Sequence, residues 1–593
     1  MNKSLGDYIV DRTESLDDSF ITDYFIGHNK DLIIRLLDSE QYLLEGSRGI
    51  GKTMLMRIAE LQSDANFGKS SILSVWVSFE ESIRIERIKV IDSTVDPFLQ
   101  WTMGKILIEV LSKIIDLKPT CVDELSARLA NIFGNAVDVS TSQKKYQHYT
   151  KILSEYIQVL EKGDIGDSKI LSKIAPSPDL TKILDNPTSF KKFLIELIKD
   201  FELERVILLF DEAAHVFSYT QQEKFFTFFK TLRHPRIACK AAVYPGITNY
   251  GKYFEKGQDA KELRLTWDFN NTQDIKYIKD ILKKRIQSFD LEYWNKLTIN
   301  TAIIDAICVC SNGNPRLAFH IVDNLENEKV FKQKNISLQQ VINSVRSVIE
   351  NKWREFSTLK NRLAKYKTSI EVAEDLMKYT IIPKTREWNN KQRTTAKSLS
   401  AGFYLSTNVY DNISQVFDVL AYSSFVSIDY SKKSVGKGLY GYYVSINPSI
   451  LFADLILREL GEIKLVSKNI RATQGYYTTT TEIKQLIDNL KIENEYRCSN
   501  TNCNYTTNDE TFTYCPKCAN KMELTEPESL YKILRSHDIE NLKFSNKLTN
   551  RLKDKFSNIG EIYDADIDVI RMKYIQDVRV EKIKNAAIEY MAG

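Results

Sequence analysis

The stretch GSRGIGKT (46–53) has the form G-x-x-x-x-G-K-[ST], the phosphate-binding loop of nucleotide hydrolases. QYLLE (41–45) before it predicts a short buried strand, and MLMRIAELQ (54–62) after it has helical periodicity. In this context the glycines let backbone N–H groups approach phosphate oxygens, Lys52 contacts the β- and γ-phosphates, and Thr53 ligates Mg²⁺. We therefore predict a nucleotide site formed by eight consecutive residues: Gly46, Ser47, Arg48, Gly49, Ile50, Gly51, Lys52 and Thr53.

A pair of acidic residues follows a second apolar segment. RVILLFDEAAHVF (205–217) contains VILLF, which predicts a strand buried on both faces, and Asp211 and Glu212 come directly after it. Asp211 can reach Mg²⁺ through water, and Glu212 can polarise the attacking water. The alternative is an acid pair that caps the helix predicted over 221–233. With the loop upstream, we predict three catalytic residues, Lys52, Asp211 and Glu212, and two magnesium ligands, Thr53 and Asp211.

The composition is that of an ordinary globular protein. Hydrophobic residues make up 43% and charged residues 27% of the 593 residues, and the formal net charge is only +4. A polyanionic partner would therefore need a local basic patch. No apolar run approaches the roughly 18–20 residues that cross a bilayer, and residues 1–20 lack the apolar core of a signal peptide. We predict a cytoplasmic protein with no membrane partner.

The order of these motifs resembles that of AAA+ ATPases. The loop, the strand before Asp211, a helix and the strand IACKAAVYPG (237–246) follow one another as in that class. CSNGNPRLAFHIVDNL (310–325) is similar to the lid helix of origin-recognition-type (ORC/CDC6-like) ATPases, and FIGHNKDLIIRLL (25–37) is similar to the segment before their first strand. The resemblance, to a bacterial branch of this family, covers roughly residues 20 to 460.

The resemblance implies an α/β P-loop NTPase fold (AAA+) with a helical lid, ATP and Mg²⁺ as cofactors, and ATP hydrolysis as the activity. It also implies that Arg316 is a catalytic residue that contacts the γ-phosphate. The family's polar sensor after the fourth strand is not obvious, and Thr248 and Asn249 are the candidates. A homo-oligomer formed through the AAA+ domain would need an arginine from a neighbouring copy; the candidates are Arg233, Arg236 and Arg264.

The chain is predicted to contain five domains. About 140 residues separate the loop helix from Asp211, which is too long for an ordinary connection and predicts an inserted helical subdomain. The predicted domains are a nucleotide-binding core over 1–270 with the insert at about 85–200, a helical lid over 271–350, a winged-helix domain over 351–465, a zinc ribbon over 490–525 and a small all-α domain over 526–593.

The predicted winged-helix domain combines a basic segment with a hairpin. Residues 352–397 have more Lys and Arg than Asp and Glu, and 415–448 reads as helix, strand, basic loop and strand. Lys432, Lys433 and Lys437 in the loop SKKSVGKG would contact DNA phosphates without reading sequence. The alternative is a plain α+β domain with a solvated turn.

Four of the eight cysteines lie within 21 residues in the pattern C-x4-C-x11-C-x2-C. Four thiolates at such intervals suit tetrahedral Zn²⁺, and a site without an open position is structural rather than catalytic. The predicted zinc ligands are Cys498, Cys503, Cys515 and Cys518.

A C-terminal sequence pattern resembles helix-hairpin-helix modules, whose tight turn holds a DNA phosphate. The segment is IGEIYDADIDVIRMKYIQDVRVEKIKNAA. IQDVR (575–579) replaces the expected glycines of that turn. Arg579, Lys582 and Lys584 would still contact a DNA backbone, and a protein-docking helical bundle is the equal alternative.

These modules together predict an ATP-dependent DNA-binding ATPase whose nucleotide state controls DNA engagement or assembly, in replication of mobile DNA or in anti-phage defence. Duplex DNA is the expected partner, with a separate effector protein in the defence setting. The alternative is a signalling or scaffold NTPase that senses a protein ligand and activates a separate effector. DNA-stimulated hydrolysis with a steep salt dependence distinguishes the first function from the second.

Overall fold

The computed structural model forms two compact units, Met1–Val345 and Arg346–Gly593. It describes residues 4–9, 16–27, 30–79, 96–133, 141–162, 178–213, 219–269, 271–363, 366–395, 398–436, 439–466, 496–500, 503, 505–507, 513–524, 535–542, 544, 546–572 and 577–592. Within these ranges no helix combines the length and apolar character that a bilayer crossing requires.

A five-stranded parallel sheet forms the centre of the first unit. Its strands lie in the order β2-β3-β4-β1-β5. Their bounds are Tyr42–Glu45 (β1), Ile72–Ser78 (β2), Arg205–Asp211 (β3), Ile237–Val243 (β4) and Lys261–Arg264 (β5). β4 is buried along its whole length and β3 along all but its first residue, as expected for parallel strands covered on both faces. The predicted α/β fold with a parallel sheet is confirmed, and the carboxyl ends of the strands meet at one edge.

Helices of the nucleotide-binding region pack against this sheet. They are α1 (Asp18–Tyr24), α2 (Lys30–Leu36), α3 (Lys52–Ser70) and α9 (Tyr219–Thr231). Met56, Ile58 and Ala59 of α3 lie in one buried cluster with Leu44 of β1 and Leu209 of β3. This packing fixes the first turn of α3, and with it Lys52, at the carboxyl edge of the sheet.

The described residues between β2 and β3, in the segment predicted as an insert, include five helices. They are α4 (Pro97–Leu117), α5 (Val122–Phe133), α6 (Ser142–Lys162), α7 (Pro178–Asp185) and α8 (Pro187–Asp200). Trp101 of α4 is fully buried, and its indole N–H donates to Glu161 Oε1 at 2.9 Å. Its ring lies 5.6 Å from that of Phe79, next to the end of β2. The apolar face of α4 is therefore part of the core.

Four of the described helices lie wholly within the region predicted as the lid. They are α10 (Thr272–Phe289), α11 (Leu291–Thr298), α12 (Thr301–Cys310) and α13 (Pro315–Asn327). Each begins after an Asn or Asp whose side chain accepts a backbone N–H of the first turn: Asn271, Asp290, Asn300 and Asn314. Such caps each stabilise a helix by about 1 kcal/mol, so the sequence sets where these helices begin.

The second unit contains a small antiparallel sheet with helices around it. The strands β6 (Gly402–Ser406), β7 (Val426–Gly436) and β8 (Leu439–Ile446) lie in the order β6-β8-β7. The helices are α14 (Leu338–Arg362, which begins in the first unit), α15 (Lys367–Asp375), α16 (Ile382–Thr394), α17 (Thr407–Tyr422) and α18 (Pro448–Ala453). A π-helical turn, Leu376–Ile381, precedes Pro383, which lacks the N–H of a regular helix. α17 is kinked at Ile413.

The remaining described elements are short. β9 (Tyr496–Cys498), β10 (Thr506–Thr507) and β11 (Met522–Leu524) form a sheet in the order β10-β9-β11 around the cysteines. Four helices follow, α19 (Asn546–Lys553), α20 (Ile559–Asp564), α21 (Ile567–Ile570) and α22 (Asp577–Ala592).

Candidate nucleotide site and cysteine cluster

The loop between β1 and α3 is bridged by hydrogen bonds from the side chain of Lys52 to the loop backbone. The Lys52 ammonium donates to the carbonyl oxygens of Gly46 at 2.6 Å and Ser47 at 3.1 Å, and the residue is only 6% exposed. Gly49 and Gly51 have φ angles of 84° and 98°, which L side chains rarely adopt. The loop therefore wraps around the ammonium at the positive end of α3.

The charges around Lys52 come from three separate parts of the first unit. Burial lowers the pKa of Lys52 to about 7; Glu212 and Asp211 oppose this shift, whereas Arg316 and Arg48 add to it. The two carboxylates lie at the carboxyl end of β3, and Arg316 lies in the first turn of α13. The structure thus brings together all four residues predicted to be catalytic.

The end of β3 determines the positions of the two acidic residues, Asp211 and Glu212. Asp211 is the last residue of the strand and is 1% exposed. Glu212 follows with a φ of 60°, and its backbone N–H donates to Asp211 Oδ1 at 3.0 Å. A left-handed conformation at a glutamate costs roughly 1 kcal/mol, so the surrounding structure must hold it.

The predicted lid helix touches the phosphate-binding loop directly. Asn314, which caps α13 by accepting the Leu317 N–H, also donates from Nδ2 to the Arg48 carbonyl at 2.8 Å. A Cβ placed on Gly49 would lie 2.8 Å from Asn314 Oδ1 and 2.9 Å from Arg316 Cβ. Gly49 is therefore needed for the close approach of the lid as well as for its backbone conformation.

The two candidates for the polar sensor, Thr248 and Asn249, form hydrogen bonds with neighbouring residues. The Thr248 hydroxyl accepts the Tyr244 N–H at 3.0 Å and donates to the Tyr244 carbonyl at 2.9 Å. The Asn249 N–H donates to Gln222 Oε1, and Asn249 Oδ1 accepts the Gly251 N–H. Tyr244 itself reaches the site, with its ring 3.8 Å from Lys52 Nζ and its hydroxyl 3.4 Å from Glu212 Oε1. Tyr244 was not among the residues predicted for the site, although it directly follows β4.

The three arginines predicted as candidates to act on a neighbouring copy all have partners in their own chain. Arg233 donates to the Gln258 carbonyl at 3.1 Å, and Arg236 donates to the carbonyls of Glu204 and Leu203. Arg264 forms ion pairs with Glu45 at 3.3 Å and Glu262 at 2.7 Å. Their role in an oligomer stays a prediction.

The donor set of the loop fits magnesium-bound ATP. Arg48 and Arg316 lie close enough to Lys52 to lower its pKa, and a polyphosphate would relieve this repulsion between cations. Asp211 would supply a carboxylate to Mg²⁺, and Thr53 lies in the first turn of α3, where its hydroxyl could join it. When bound, the metal would neutralise charge on the phosphates.

The four cysteines converge as predicted. All four sulfur atoms lie within 4.8 Å of one another, with Cys498 and Cys518 at 3.2 Å and Cys503 and Cys515 at 3.7 Å. Tetrahedral zinc with Zn–S bonds of about 2.3 Å requires sulfur separations of roughly 3.8 Å, so the cluster is close to the size that zinc needs. The Lys517 N–H donates to Cys515 Sγ at 3.4 Å, a contact that favours thiolates. The residues present therefore fit a structural Zn²⁺ ion.

The cations predicted to contact DNA differ in their surroundings. Lys432 on β7 is exposed, Lys433 pairs with Asp429 at 3.7 Å, and Lys437 lies outside the described residues. In the C-terminal module, 575 and 576 also lie outside the described residues, and Lys582 is exposed. Lys584 differs from expectation, because its ammonium donates to the carbonyls of Tyr563 at 2.6 Å and Ala565 at 2.7 Å.

Comparison with known protein families gives a match that lies within the first unit. Residues 10–304 match the family model described as ORC-CDC6-like. The predicted ORC/CDC6-like family is thereby confirmed for this region, whereas the bacterial branch stays a prediction. No curated protein matches the chain.

Two solved structures from Aeropyrum pernix are similar to the chain. The ORC1 protein in complex with DNA is 12% identical, and the match covers 78% of this chain and 98% of that one with a TM-score of 0.29. The ORC2 protein with ADPNP and ADP is 11% identical, with coverages of 72% and 90% and a TM-score of 0.29. These TM-scores are too low to support a conclusion about fold or function.

Proposed function

We propose that this chain, ORC-CDC6-like over residues 10–304, is a magnesium-dependent ATPase whose nucleotide state controls its engagement of duplex DNA. The phosphate-binding loop, the acid pair after β3 and the start of α13 form one site. The observation that carries the proposal is the contact of Asn314 and Arg316 with the loop at Arg48 and Gly49. Through it, a change at the phosphates is transmitted to the lid.

Each residue of the site has a distinct task in this proposal. Lys52 and the loop N–H groups bind the phosphates, while Thr53 and Asp211 hold Mg²⁺. Glu212 orients the water that attacks the γ-phosphorus, and Arg316 binds a γ-phosphate oxygen. Loss of the γ-phosphate would leave Arg316 without its anion, which frees α13 to move relative to the loop.

DNA engagement is proposed for the wing formed by β7 and β8 rather than for a helix. In helix-turn-helix proteins the second helix enters the major groove. Here the part of α17 after its kink, 414–422, has no Lys or Arg, and 416–422 is buried. Lys432 is exposed on the wing, and Tyr440 on the neighbouring strand is 55% exposed. These features favour sequence-independent contact with the DNA backbone.

The test is ATP hydrolysis measured with and without duplex DNA, from low to moderate salt. We expect stimulation by DNA that disappears as salt rises. Combined Lys432→Glu and Lys433→Glu should remove the stimulation and lower the salt slope of binding by about 2. The matched control is Lys151→Glu with Lys182→Glu, two exposed lysines of the helical insert. Turnover that ignores DNA would favour a protein ligand as the trigger instead.

A trapping variant tests the assignment of the water-orienting residue. Glu212→Gln keeps the size of the side chain but removes its charge, so ATP should bind normally while turnover falls about 100-fold. The variant should remain in its ATP-bound state, seen as retained radiolabelled ATP after gel filtration. Normal turnover would show that another group orients the water.

The same switch would serve replication of mobile DNA or anti-phage defence, the latter with a separate effector. Phage challenge of cells that carry the wild-type chain or Lys52→Ala distinguishes these settings. Protection that requires Lys52 favours defence, and equal sensitivity of the two strains favours replication.

A further inference from the structure

Tyr244 joins two residues of the nucleotide site that have opposite charges. It directly follows β4 and is 4% exposed. Its ring lies 3.8 Å from Lys52 Nζ, and its hydroxyl lies 3.4 Å from Glu212 Oε1, at the long end of the hydrogen-bond range. The phosphate-binding lysine and the acid at the end of β3 are thus connected through one side chain.

Thr248 holds the backbone of Tyr244 in place. Its hydroxyl accepts the Tyr244 N–H and donates to the Tyr244 carbonyl, so both backbone groups are bonded to the same oxygen. Thr248 is itself only 9% exposed, so water does not compete freely for this pair. The ring of Tyr244 is consequently directed by a fixed turn and not by an independent loop.

We propose that Tyr244 is a positioning residue for ATP hydrolysis, holding the Lys52 ammonium with its ring and orienting the Glu212 carboxylate with its hydroxyl. The inference rests on the proposed function and deepens it. An ammonium over an aromatic face is stabilised in its charged form, the form that binds phosphate. A hydroxyl that donates to one carboxylate oxygen leaves the other oxygen directed toward water. The ring therefore serves binding, and the hydroxyl serves turnover.

Two substitutions separate these tasks. Tyr244→Phe keeps the ring and removes the hydroxyl, so kcat should fall about 10-fold while the KM for ATP stays within about twofold. Tyr244→Leu removes both, so the affinity for ATP should also weaken about fivefold. The matched control is Tyr156→Phe, a buried tyrosine of the helical insert whose hydroxyl donates to Gln100 Oε1 at 2.7 Å. It should leave both parameters unchanged.

A double substitution tests whether the hydroxyl acts through Glu212. Tyr244→Phe added to Glu212→Gln should lower kcat no further than Glu212→Gln alone, because the same orientation is lost once. Multiplied effects would overturn the proposed connection. Equal losses of affinity in Tyr244→Phe and Tyr244→Leu, or a lower melting temperature in Tyr244→Phe, would show that Tyr244 has only a structural role.

The affinity measurement also keeps this inference distinct from the proposed function. Binding of a fluorescent ATP analogue needs no turnover. A wild-type chain that binds the analogue without hydrolysing ATP overturns the proposed ATPase activity. The ring contact is then decided by affinity alone: weaker binding in Tyr244→Leu but not in Tyr244→Phe supports it, and unchanged binding in both overturns it.

Discussion

Lys52 and Lys584 were both predicted to contact phosphate, and both donate to two backbone carbonyls. Lys52 lies at the N-terminus of α3, where the helix dipole is positive, with two arginines (Arg48 and Arg316) as well as the carboxylates of the acid pair nearby. Lys584 belongs to α22, and its ammonium reaches the C-terminal end of α20, where the last carbonyls attract a cation, near Asp564 and Asp566. The same backbone contact therefore leaves the Lys52 site with cations that an anion can bind, whereas the charge of Lys584 is already balanced by nearby carboxylates.

The largest effect should come from the lysine of the loop. Lys52→Ala is expected to weaken ATP binding at least about 100-fold, because the cation that contacts the phosphates is lost. The measurement is titration with a fluorescent ATP analogue, with the melting temperature as a check, since the Gly46 and Ser47 carbonyls also lose a donor. Affinity close to wild type would mean that the loop does not bind the triphosphate.

Removal of zinc should affect one region only. Chelation, or Cys515→Ser, is expected to unfold the short sheet of β9 to β11, since this small region depends on its metal. Metal content by mass spectrometry should fall from one ion per chain to none. ATP affinity should stay unchanged, whereas its loss would contradict the predicted boundaries of the ribbon domain.

ATP binding should depend on pH through Lys52. Its pKa is lowered to about 7 by burial, so above this pH much of the lysine is neutral before binding. The triphosphate favours the ammonium, so binding takes up a proton and affinity falls by up to about 10-fold per pH unit above 7. Calorimetry in buffers of different ionisation heat should show this uptake at pH 8.5 and little at pH 6.

A matched variant isolates the role of Lys52 in that pH dependence. Lys52→Arg keeps a cation that does not titrate in this range, so nucleotide binding to this variant should not be coupled to proton uptake. Proton uptake by this variant would assign the effect to another group.

The smallest effect should come from the C-terminal lysines. Lys584→Gln is expected to destabilise its module by about 1–2 kcal/mol, because two carbonyls lose a charged donor. Lys582→Gln, at an exposed neighbour, should change stability by less than about 0.5 kcal/mol. Urea unfolding followed by circular dichroism measures both. The reverse order, with a larger DNA-binding defect in Lys584→Gln, would restore Lys584 as a phosphate contact.

Residues whose spacing is fixed by the backbone were predictable from the sequence. The loop 46–53 and the acid pair 211–212 each lie at the end of a recognisable strand, so the site and the α/β fold followed from local patterns. The convergence of the four cysteines was equally predictable, because their spacing in the sequence is typical of tetrahedral metal sites.

Contacts that need the folded lid and sheet were not predictable in this way. Nothing local in Asn314 indicates that it bonds to Arg48, 266 residues earlier. Tyr244 was missed because its aromatic ring did not match the small polar type expected after the fourth strand. The carbonyl contacts of Lys584 were not predictable either, because the sequence shows its charge but not the C-terminal end of α20 beside it.

Gly49 has a consequence for how this sequence can change over evolution. Its φ of 84° and the nearness of Asn314 and Arg316 are independent obstacles to any side chain. A replacement would have to be accompanied by changes in the lid, and a lid that retreated would lose its contact with the loop. At Gly51, by contrast, a Cβ would meet nothing within 4 Å, and only its φ of 98° disfavours a side chain. Mutational drift should therefore be slower at 49 than at 51, and substitutions at 49 should occur together with changes at 314 and 316.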